Sequence, residues 1–162
     1  LNEGSSVNVF ICNKNNILKT LTKLNEYGEV LLEKYIPGRE ILDAILENKV
    51  LGAIELRPTR KFYDYQAKYN PKARTEHIIP VEISKRKYQE LTKIALKAHK
   101  ILNCRGVTRS DFRYYKNSFY LLETNTQPGM TSLSLVPEIA NFNNITFKNL
   151  IKKILEDASI NK

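Results

Sequence analysis

Residues 109–135, RSDFRYYKNSFYLLETNTQPGMTSLSL, are the stretch of sequence that determines the predicted fold. Two runs rich in apolar and aromatic residues flank a short turn at residues 116–118, a pattern that predicts a β-hairpin. A loop rich in Thr, Ser, Pro and Gly follows the second run. The hairpin carries polar side chains on both strands, and its turn therefore decides which of them meet.

The length of this turn sets the positions of two carboxylates. A two-residue turn would place Asp111 opposite Leu122, so that Asp111 and Glu123 would lie on opposite faces of the sheet. A three-residue turn, with Asn117 in the left-handed conformation, would place Asp111 opposite Glu123. We predict the three-residue turn, because it gathers Asp111, Glu123 and the amide oxygen of Asn125 into a cluster of hard oxygen ligands suited to Mg²⁺. An ordinary hairpin with a solvated polar face is the alternative.

On both sides of the hairpin, hydrophobic periodicity predicts further strands and helices. Predicted strands cover residues 7–12, 29–36, 39–47, 50–57 and 75–81, with a hairpin turn at Asn48 and Lys49. Predicted amphipathic helices cover residues 16–27, the segment after Ser84, and residues 145–154. The inward faces of the last two include Ile101, Leu102 and Phe147. Residues 59–74 have no clean hydrophobic period and are predicted to form a long aromatic loop, and such loops are usually functional.

Composition limits the classes of protein to consider. Hydrophobic residues make up 42% of the 162 residues, enough for a core, and no apolar run approaches the length of a membrane span. The net charge of +9 suggests a polyanionic partner, but the lysines are scattered, so a basic nucleic-acid-binding module is only the alternative from outside the enzyme class. Cys12 and Cys104 are far apart and predict free thiols in a reducing, cytoplasmic compartment. His77 and His99 have no partners for a catalytic triad and are predicted to be structural.

Several residues near the hairpin or in the aromatic loop suit phosphate chemistry. Lys68 could close over phosphates as a point charge, although a surface lysine is the simpler interpretation. Arg109 could stabilise an oxyanion beside a metal, or form a salt bridge with Asp111. Gly129 could offer its backbone N–H to an anionic ligand, and Ser134 could hydrogen-bond a carboxylate or cap the turn that follows it. No glycine-rich nucleotide fingerprint is present, so a nucleotide would have to be held in another way.

Six motifs give the chain a family resemblance. EGSSV, EKYIPGRE, FYDYQAKY, RSDF, LLETNTQPGMT and SLSLVP occur in the order and approximate spacing found in the D-alanine–D-alanine ligases, which are ATP-grasp carboxylate–amine ligases. The resemblance covers nearly the whole chain, and its most specific block is residues 121–137. It implies an α/β (α+β) fold, in which residues 41–162 form an ATP-grasp C-terminal domain with a mostly antiparallel sheet flanked by helices. Residues 1–40 would be part of an incomplete central subdomain.

The resemblance also implies a reaction. In that family, ATP phosphorylates the carboxylate of one D-alanine, and the amine of a second D-alanine attacks the acyl phosphate, with release of ADP and phosphate. The product, D-alanyl-D-alanine, serves peptidoglycan precursor synthesis in the bacterial cytoplasm. Another ATP-grasp ligase with a different amine or hydroxy acid is the alternative within the class. Tyr69 favours an amine, since relatives that form D-alanyl-D-lactate tend to carry Phe at the matching position.

Matched positions imply a role for each nucleotide-site residue. Glu33, Lys34 and Ile36 would line the adenine site, Glu40 would hold the ribose hydroxyls, and Lys68 would meet the phosphates. Asp111, Glu123 and Asn125 of the hairpin would bind two Mg²⁺ (or Mn²⁺) ions through their side-chain oxygens. These ions would neutralise phosphate oxygens, as phosphoryl transfer requires.

Matched positions also imply the D-alanine site. Arg109 and the N–H of Gly129 would form the oxyanion hole, and Ser134 with the backbone of Leu135 would take the carboxylate of the second substrate. Tyr69 would hydrogen-bond Ser5. The segments of the family that hold the ammonium of the first D-alanine have no match in these 162 residues. We therefore expect the 162-residue chain alone to lack ligase activity and to bind ATP weakly, while the full-length enzyme would be a homodimer without nucleic-acid or membrane partners.

Overall fold

A computed structural model describes residues 7–58, 75–131 and 133–159, and it contains one five-stranded sheet with four α-helices in the described part of the chain. The strands are β1 (Arg39–Leu46), β2 (Lys49–Pro58), β3 (Thr75–Ile78), β4 (Val107–Tyr115) and β5 (Ser118–Asn125). The helices are α1 (Ile17–Leu24), α2 (Lys85–Ile101), α3 (Leu135–Phe142) and α4 (Phe147–Asp157). The sheet order is β3-β2-β1-β4-β5, and β1 is antiparallel to both β2 and β4, as β4 is to β5. The predicted antiparallel α+β fold is confirmed.

The described residues divide into two units. The first contains residues 7–36 with Pro58 and Thr75, and the second contains residues 37–57, 76–131 and 133–159. The predicted domain boundary after residue 40 stays a prediction. None of the helices in the described ranges is both long enough and apolar enough to cross a membrane.

The first unit differs from the sequence prediction in its strands. Helix α1 continues into a 3₁₀ turn and stops at Gly28, whose φ of +72° gives the predicted helix stop. The strands predicted at residues 7–12 and 29–36 are wrong, since neither segment is a strand in the described structure. Leu31 and Leu32 are 71% and 68% exposed. A strand needs a neighbouring strand to pair its backbone groups, and apolar composition alone does not provide one.

In the second unit, α2 packs on one face of the sheet. Ile41, Ile45 and Phe112 of the sheet and Leu91 and Ala95 of α2 are fully buried in one cluster. Full burial of a large apolar side chain contributes about 1.5–3 kcal/mol, so this cluster stabilises the packing of α2 on the sheet. The predicted cap is confirmed, because Ser84 Oγ accepts a hydrogen bond from Lys87 N at 3.3 Å.

The buried stripe of α2 ends at His99, whereas the sequence predicted that the inward face would extend to Leu102. Leu91, Ala95 and His99 follow helical spacing, and His99 Nδ1 is 2.8 Å from Thr108 Oγ1. Ile101 and Leu102 lie beyond this stripe and are exposed, contrary to prediction. A histidine tolerates full burial there because at least one ring nitrogen has a hydrogen-bond partner.

Helix α3 approaches strand β2 at Gly52 and was not predicted. Gly52 has a φ of +147°, and a Cβ added there would lie 3.0 Å from Ile139 of α3, so the close approach requires glycine. Pro137 lies in the first turn of α3, where a missing N–H is tolerated, although in sequence a proline suggests a loop. Phe147 at the start of α4 is also exposed rather than inward-facing, because Leu150 takes the buried position of that helix.

Candidate functional site

The β4–β5 hairpin brings Asp111 and Glu123 together by a route that was not predicted. The turn contains two residues, Lys116 and Asn117, with φ of +47° and +64°, and Tyr115 pairs with Ser118. The predicted three-residue turn is therefore wrong. A β-bulge at Leu122 shifts the register between Phe112, which pairs with Leu121, and Asp111, which pairs with Glu123. The extra residue restores the predicted pairing.

The strand register places the polar residues in three successive rows. The first row is Glu40 paired with Arg113. The second row runs from Leu42 through Asp111 to Glu123, and the third runs from Ala44 through Arg109 to Asn125. Because side chains alternate, these residues share the face of the sheet opposite Ile41 and Phe112, and therefore opposite α2. Neighbouring rows are about 7 Å apart, two residues along a strand.

Asp111 is oriented by Arg109. Arg109 Nε and Nη2 donate to the two oxygens of Asp111 at 2.7 and 2.9 Å, and both side chains are largely buried. A bidentate pair of this kind is a strong, geometrically defined interaction. It confirms the salt bridge that the sequence offered as one explanation of Arg109, and it holds the carboxylate in a single orientation.

The oxygen ligands next to Asp111 suit Mg²⁺. Glu123 is exposed, and Asn125 Oδ1 accepts a hydrogen bond from Gln127 N at 2.9 Å, which fixes the amide. In the described ranges, no three His, Cys, Asp or Glu side chains are grouped so that they could hold a metal ion. The donor set predicted from the sequence, two carboxylates and one amide oxygen, contains only two such side chains. Mg²⁺ is usually held by one or two carboxylates, with phosphates and water as its other ligands, so this set fits.

Glu40 forms an ion pair at the other end of the face. Arg113 Nη2 lies 3.0 Å from Glu40 Oε2, and Arg113 Nη1 donates to Gly38 O at 3.2 Å. Sequence reasoning missed Arg113. The i, i+2, i+4 spacing of Arg109, Asp111 and Arg113 was the signal, since it places all three on one face of a strand.

The loop after β5 joins Gly129 to Ser134. A Cβ added at Gly129 would lie 3.0 Å from Ser134 Oγ, so the two predicted residues are neighbours. Ser134 Oγ accepts from Thr131 N at 2.9 Å and is also 2.9 Å from Thr131 Oγ1. Ser134 precedes α3 but makes no side-chain cap bond, and Leu135 is the buried first residue of that helix.

The remaining predicted residues lie in the first unit or outside the described residues. Glu33 and Lys34 are exposed and Ile36 is half-buried, all in the first unit and outside any strand. Ser5, Lys68 and Tyr69 lie outside the described residues. Their roles therefore stay predictions.

Titratable groups with shifted pKa values lie on the α2 face. Burial raises the pKa of Asp43 well above its ordinary value, and burial lowers the pKa of His99. Burial would raise the pKa of Glu55, but hydrogen bonds from Arg39 and Arg57 outweigh it and lower that pKa. These groups face the core, so they belong to the fold and not to the candidate site.

Comparison with known proteins places the chain in a family. The family described as D-ala D-ala ligase C-terminus matches residues 1–156. The D-alanine–D-alanine ligase of Pelagibacter ubique is 62% identical over 162 residues, which are all of this chain and 53% of that protein. The ligase of Paramagnetospirillum magneticum is 43% identical over 164 residues, covering 98% of this chain and 53% of that protein.

Solved structures agree with the sequence relatives. A D-alanine–D-alanine ligase from Bacillus anthracis has a TM-score of 0.81 and 35% identity over 95% of this chain and 51% of that one. The same enzyme complexed with ATP has a TM-score of 0.77 and 28% identity over 91% of this chain and 47% of that one. The chain spans about half the length of the curated relatives it matches. With a matching family model, relatives of this identity and a shared fold, the chain belongs to the D-alanine–D-alanine ligase C-terminal family.

Proposed function

We propose that the protein joins two molecules of D-alanine in an ATP-dependent ligation, for peptidoglycan precursor synthesis. Membership of the family and the 62% identical ligase from Pelagibacter ubique support this reaction. The observation that carries the proposal for this chain is the single polar face of the β1–β4–β5 sheet. The order of the polar groups on that face is the order in which a bound magnesium nucleotide would present its ribose, its phosphates and the reacting group.

The order of the three rows supports one direction for a bound nucleotide, with its ribose at the first row and its terminal phosphate toward the third. Glu40 would bind the ribose hydroxyls, the row of Asp111 and Glu123 would meet the phosphates, and the row of Arg109 and Asn125 would lie at the reacting carboxyl group. Because the rows are about 7 Å apart, an extended triphosphate would run along the strands rather than across them. Glu33, Lys34 and Ile36 would line the adenine site, and Lys68 would meet the phosphates.

Two Mg²⁺ (or Mn²⁺) ions would be held by Asp111, Glu123 and Asn125. When bound there, they would neutralise the charge on the phosphate oxygens. Arg109 holds the Asp111 carboxylate in one orientation, which keeps the oxygen ligands preorganised before the nucleotide arrives.

The ligation would proceed through two nucleophilic substitution steps. A carboxylate oxygen of the first D-alanine attacks the γ-phosphorus, and ADP leaves. The amine of the second D-alanine then attacks the acyl carbon, phosphate leaves, and the nitrogen loses a proton. Arg109 and the N–H of Gly129 would stabilise the oxyanion of the second step.

The second D-alanine would bind at the start of α3. Ser134 and the backbone of Leu135 would hold its carboxylate, and the closeness of Gly129 to Ser134 supports a site that would lie next to the oxyanion donor. Tyr69 with Ser5 would complete the site. The enzyme would act in the bacterial cytoplasm, and its full-length form would be a homodimer.

Phosphate release that depends on D-alanine tests the proposal on the protein at its full encoded length. Glu123→Gln removes one charge from the oxygen cluster, and we expect a kcat about a hundredfold lower, as for the loss of one preorganised electrostatic contact. Glu90→Gln is the matched control, because Glu90 lies on α2 and pairs with Lys87. It should change kcat by less than about twofold, since surface ion pairs contribute little. A Glu123→Gln protein with the wild-type rate would contradict the proposed site.

A further inference from the structure

Arg113 joins two parts of the chain beside Glu40. Arg113 and Glu40 are partners in the β1–β4 ladder, and their side chains are only 15% and 13% exposed. One guanidinium nitrogen contacts the Glu40 carboxylate at 3.0 Å, and the other donates to the carbonyl of Gly38 at 3.2 Å. The guanidinium therefore holds both the side chain of Glu40 and the backbone two residues before it.

The backbone at Gly38 is already fixed against β4. Gly38 has a φ of +117°, and a Cβ added there would collide with the carbonyl oxygen of Tyr114. Only glycine fits this close approach. Since Gly38 is held by packing, the second hydrogen bond of Arg113 gives the guanidinium a fixed position from which to orient Glu40.

A fixed carboxylate binds hydroxyl groups more tightly than a mobile one. Ordering a glutamate side chain costs rotamer entropy, and Arg113 meets part of this cost before a ligand binds. A carboxylate has about four acceptor positions, so accepting from Arg113 is compatible with accepting from hydroxyl groups.

We propose that Arg113 is a positioning residue for nucleotide binding, which holds the Glu40 carboxylate in the orientation that accepts hydrogen bonds from the ribose hydroxyls. This inference rests on the proposed function, in which Glu40 contacts the ribose. It assigns to Arg113 the discrimination between a ribonucleotide and a nucleotide without ribose hydroxyls. A purely structural Arg113 would affect both nucleotides equally.

The test compares ATP with 2′,3′-dideoxyATP in D-alanine-dependent phosphate release by the protein at its full encoded length. We expect Arg113→Met to raise the KM for ATP about fivefold to tenfold, and to leave the KM for 2′,3′-dideoxyATP nearly unchanged. The preference for ATP should fall by the same factor. The KM for D-alanine should stay within about twofold of wild type, because Arg113 is at the opposite end of the face from Arg109.

Two further variants keep the comparison specific. Arg113→Lys retains the charge without the two-nitrogen bridge, and should restore part of the preference for ATP. Arg105→Met is the matched control, since Arg105 also pairs with an acidic residue, Asp157, at a site away from Glu40. It should leave the preference at the wild-type value. The preference is a ratio measured on one protein sample, so a partial loss of folded protein cancels.

Each outcome separates the two proposals. A wild-type preference for ATP that survives in Arg113→Met would overturn the role of Arg113 and leave the ligase proposal standing. A wild-type enzyme that releases phosphate with D-alanine but does not distinguish the two nucleotides would overturn the ribose contact of Glu40, and the role of Arg113 with it. No D-alanine-dependent release from the wild-type protein would overturn the proposed function itself.

Discussion

Asp43 is a buried acid in an unfavourable environment in the described structure. It is fully buried in β1 between Ala53 and Ser110, and neither carboxylate oxygen has a hydrogen-bond partner. Burial raises its pKa well above the ordinary value, and Tyr88 of α2 also has a raised pKa, from its own burial and from the nearby Asp43. On the same face of the sheet, Glu55 is neutralised by Arg39 and Arg57. Asp43 therefore favours the neutral acid in the folded protein.

Replacement of Asp43 by leucine, which has a similar shape, should stabilise the fold. Between the unfolded pKa of about 3.9 and the raised folded pKa, the folded state binds more protons, so wild-type stability falls as pH rises. We expect Asp43→Leu to raise the free energy of unfolding by about 1–3 kcal/mol at pH 7, with a larger gain at pH 8 than at pH 5. Urea unfolding followed by circular dichroism measures this, since the chain has no tryptophan.

Asp43→Asn is the control for this prediction. It cannot ionise but keeps two polar atoms in the core, so it should remove the pH dependence without the full gain in stability. A gain for Asp43→Leu that is the same at all three pH values, or a loss of stability, would show that the Asp43 carboxyl is solvated or bonded in solution.

Single residues also show how much the alternation of side chains along a strand can predict from sequence. Asp111, Glu123 and Asn125 were found because polar residues at i and i+2 in a strand share a face. Arg113 obeys the same rule, but its partner Glu40 is about 70 residues away in sequence, and no local pattern reports that pairing. Asp43 was missed because a single acid within an apolar strand gives no sign of whether it is buried.

At the scale of elements, the β-bulge at Leu122 determines the site. Without it, the two-residue turn would pair Asp111 with Leu122 and Ser110 with Glu123, and would turn Glu123 toward α2. The pairing of Asp111 with Glu123 was predicted, but from a three-residue turn that the hairpin does not have. A bulge is an irregularity of the ladder rather than a residue pattern, so the sequence shows that the carboxylates can meet and does not show how.

Two single-residue deletions test the role of the bulge. Deletion of Leu122 places Glu123 directly after Leu121, and a regular ladder then still pairs Asp111 with Glu123. We expect kcat to stay within about tenfold of wild type, since the oxygen ligands keep their face. Deletion of Thr124, the matched control in the same strand, moves Asn125 to the α2 face and should lower kcat about a hundredfold or more.

The two deletions are compared by D-alanine-dependent phosphate release at saturating Mg²⁺, on samples with matched circular dichroism spectra. Equal losses for both deletions would mean that the strand tolerates no change in length, and that the register argument is wrong.

Element prediction failed where an element depends on distant partners. Residues 7–12 and 29–36 have strand composition, yet they are not strands in the described structure, and Val9, Leu31 and Leu32 are exposed. Helix α2 was predicted well because its cap and its hydrophobic spacing are local. Helix α3 is short and contains Pro137, and no helix was predicted there, because its packing near Gly52 is a contact with a distant part of the chain.

At the scale of the whole molecule, these 162 residues correspond to about half of the relatives that they match. The residues proposed for adenine lie in the first unit, where apolar side chains such as Leu18 are exposed. We expect a polypeptide of these 162 residues alone to show no D-alanine-dependent phosphate release in a coupled assay, because it spans only about half the length of the ligases that it matches. Release above the rate of a Glu123→Gln control would contradict this expectation.

The central claim is that one face of the sheet holds a magnesium nucleotide through Asp111, Glu123 and Asn125. Anomalous diffraction from crystals of the protein at its full encoded length, grown with ADP and Mn²⁺, tests it most directly. We predict manganese peaks at about 2.0–2.3 Å from oxygens of Asp111 and Glu123, on the face opposite α2, with the ribose of ADP next to Glu40. Bound ADP whose manganese lies away from both carboxylates would contradict the account.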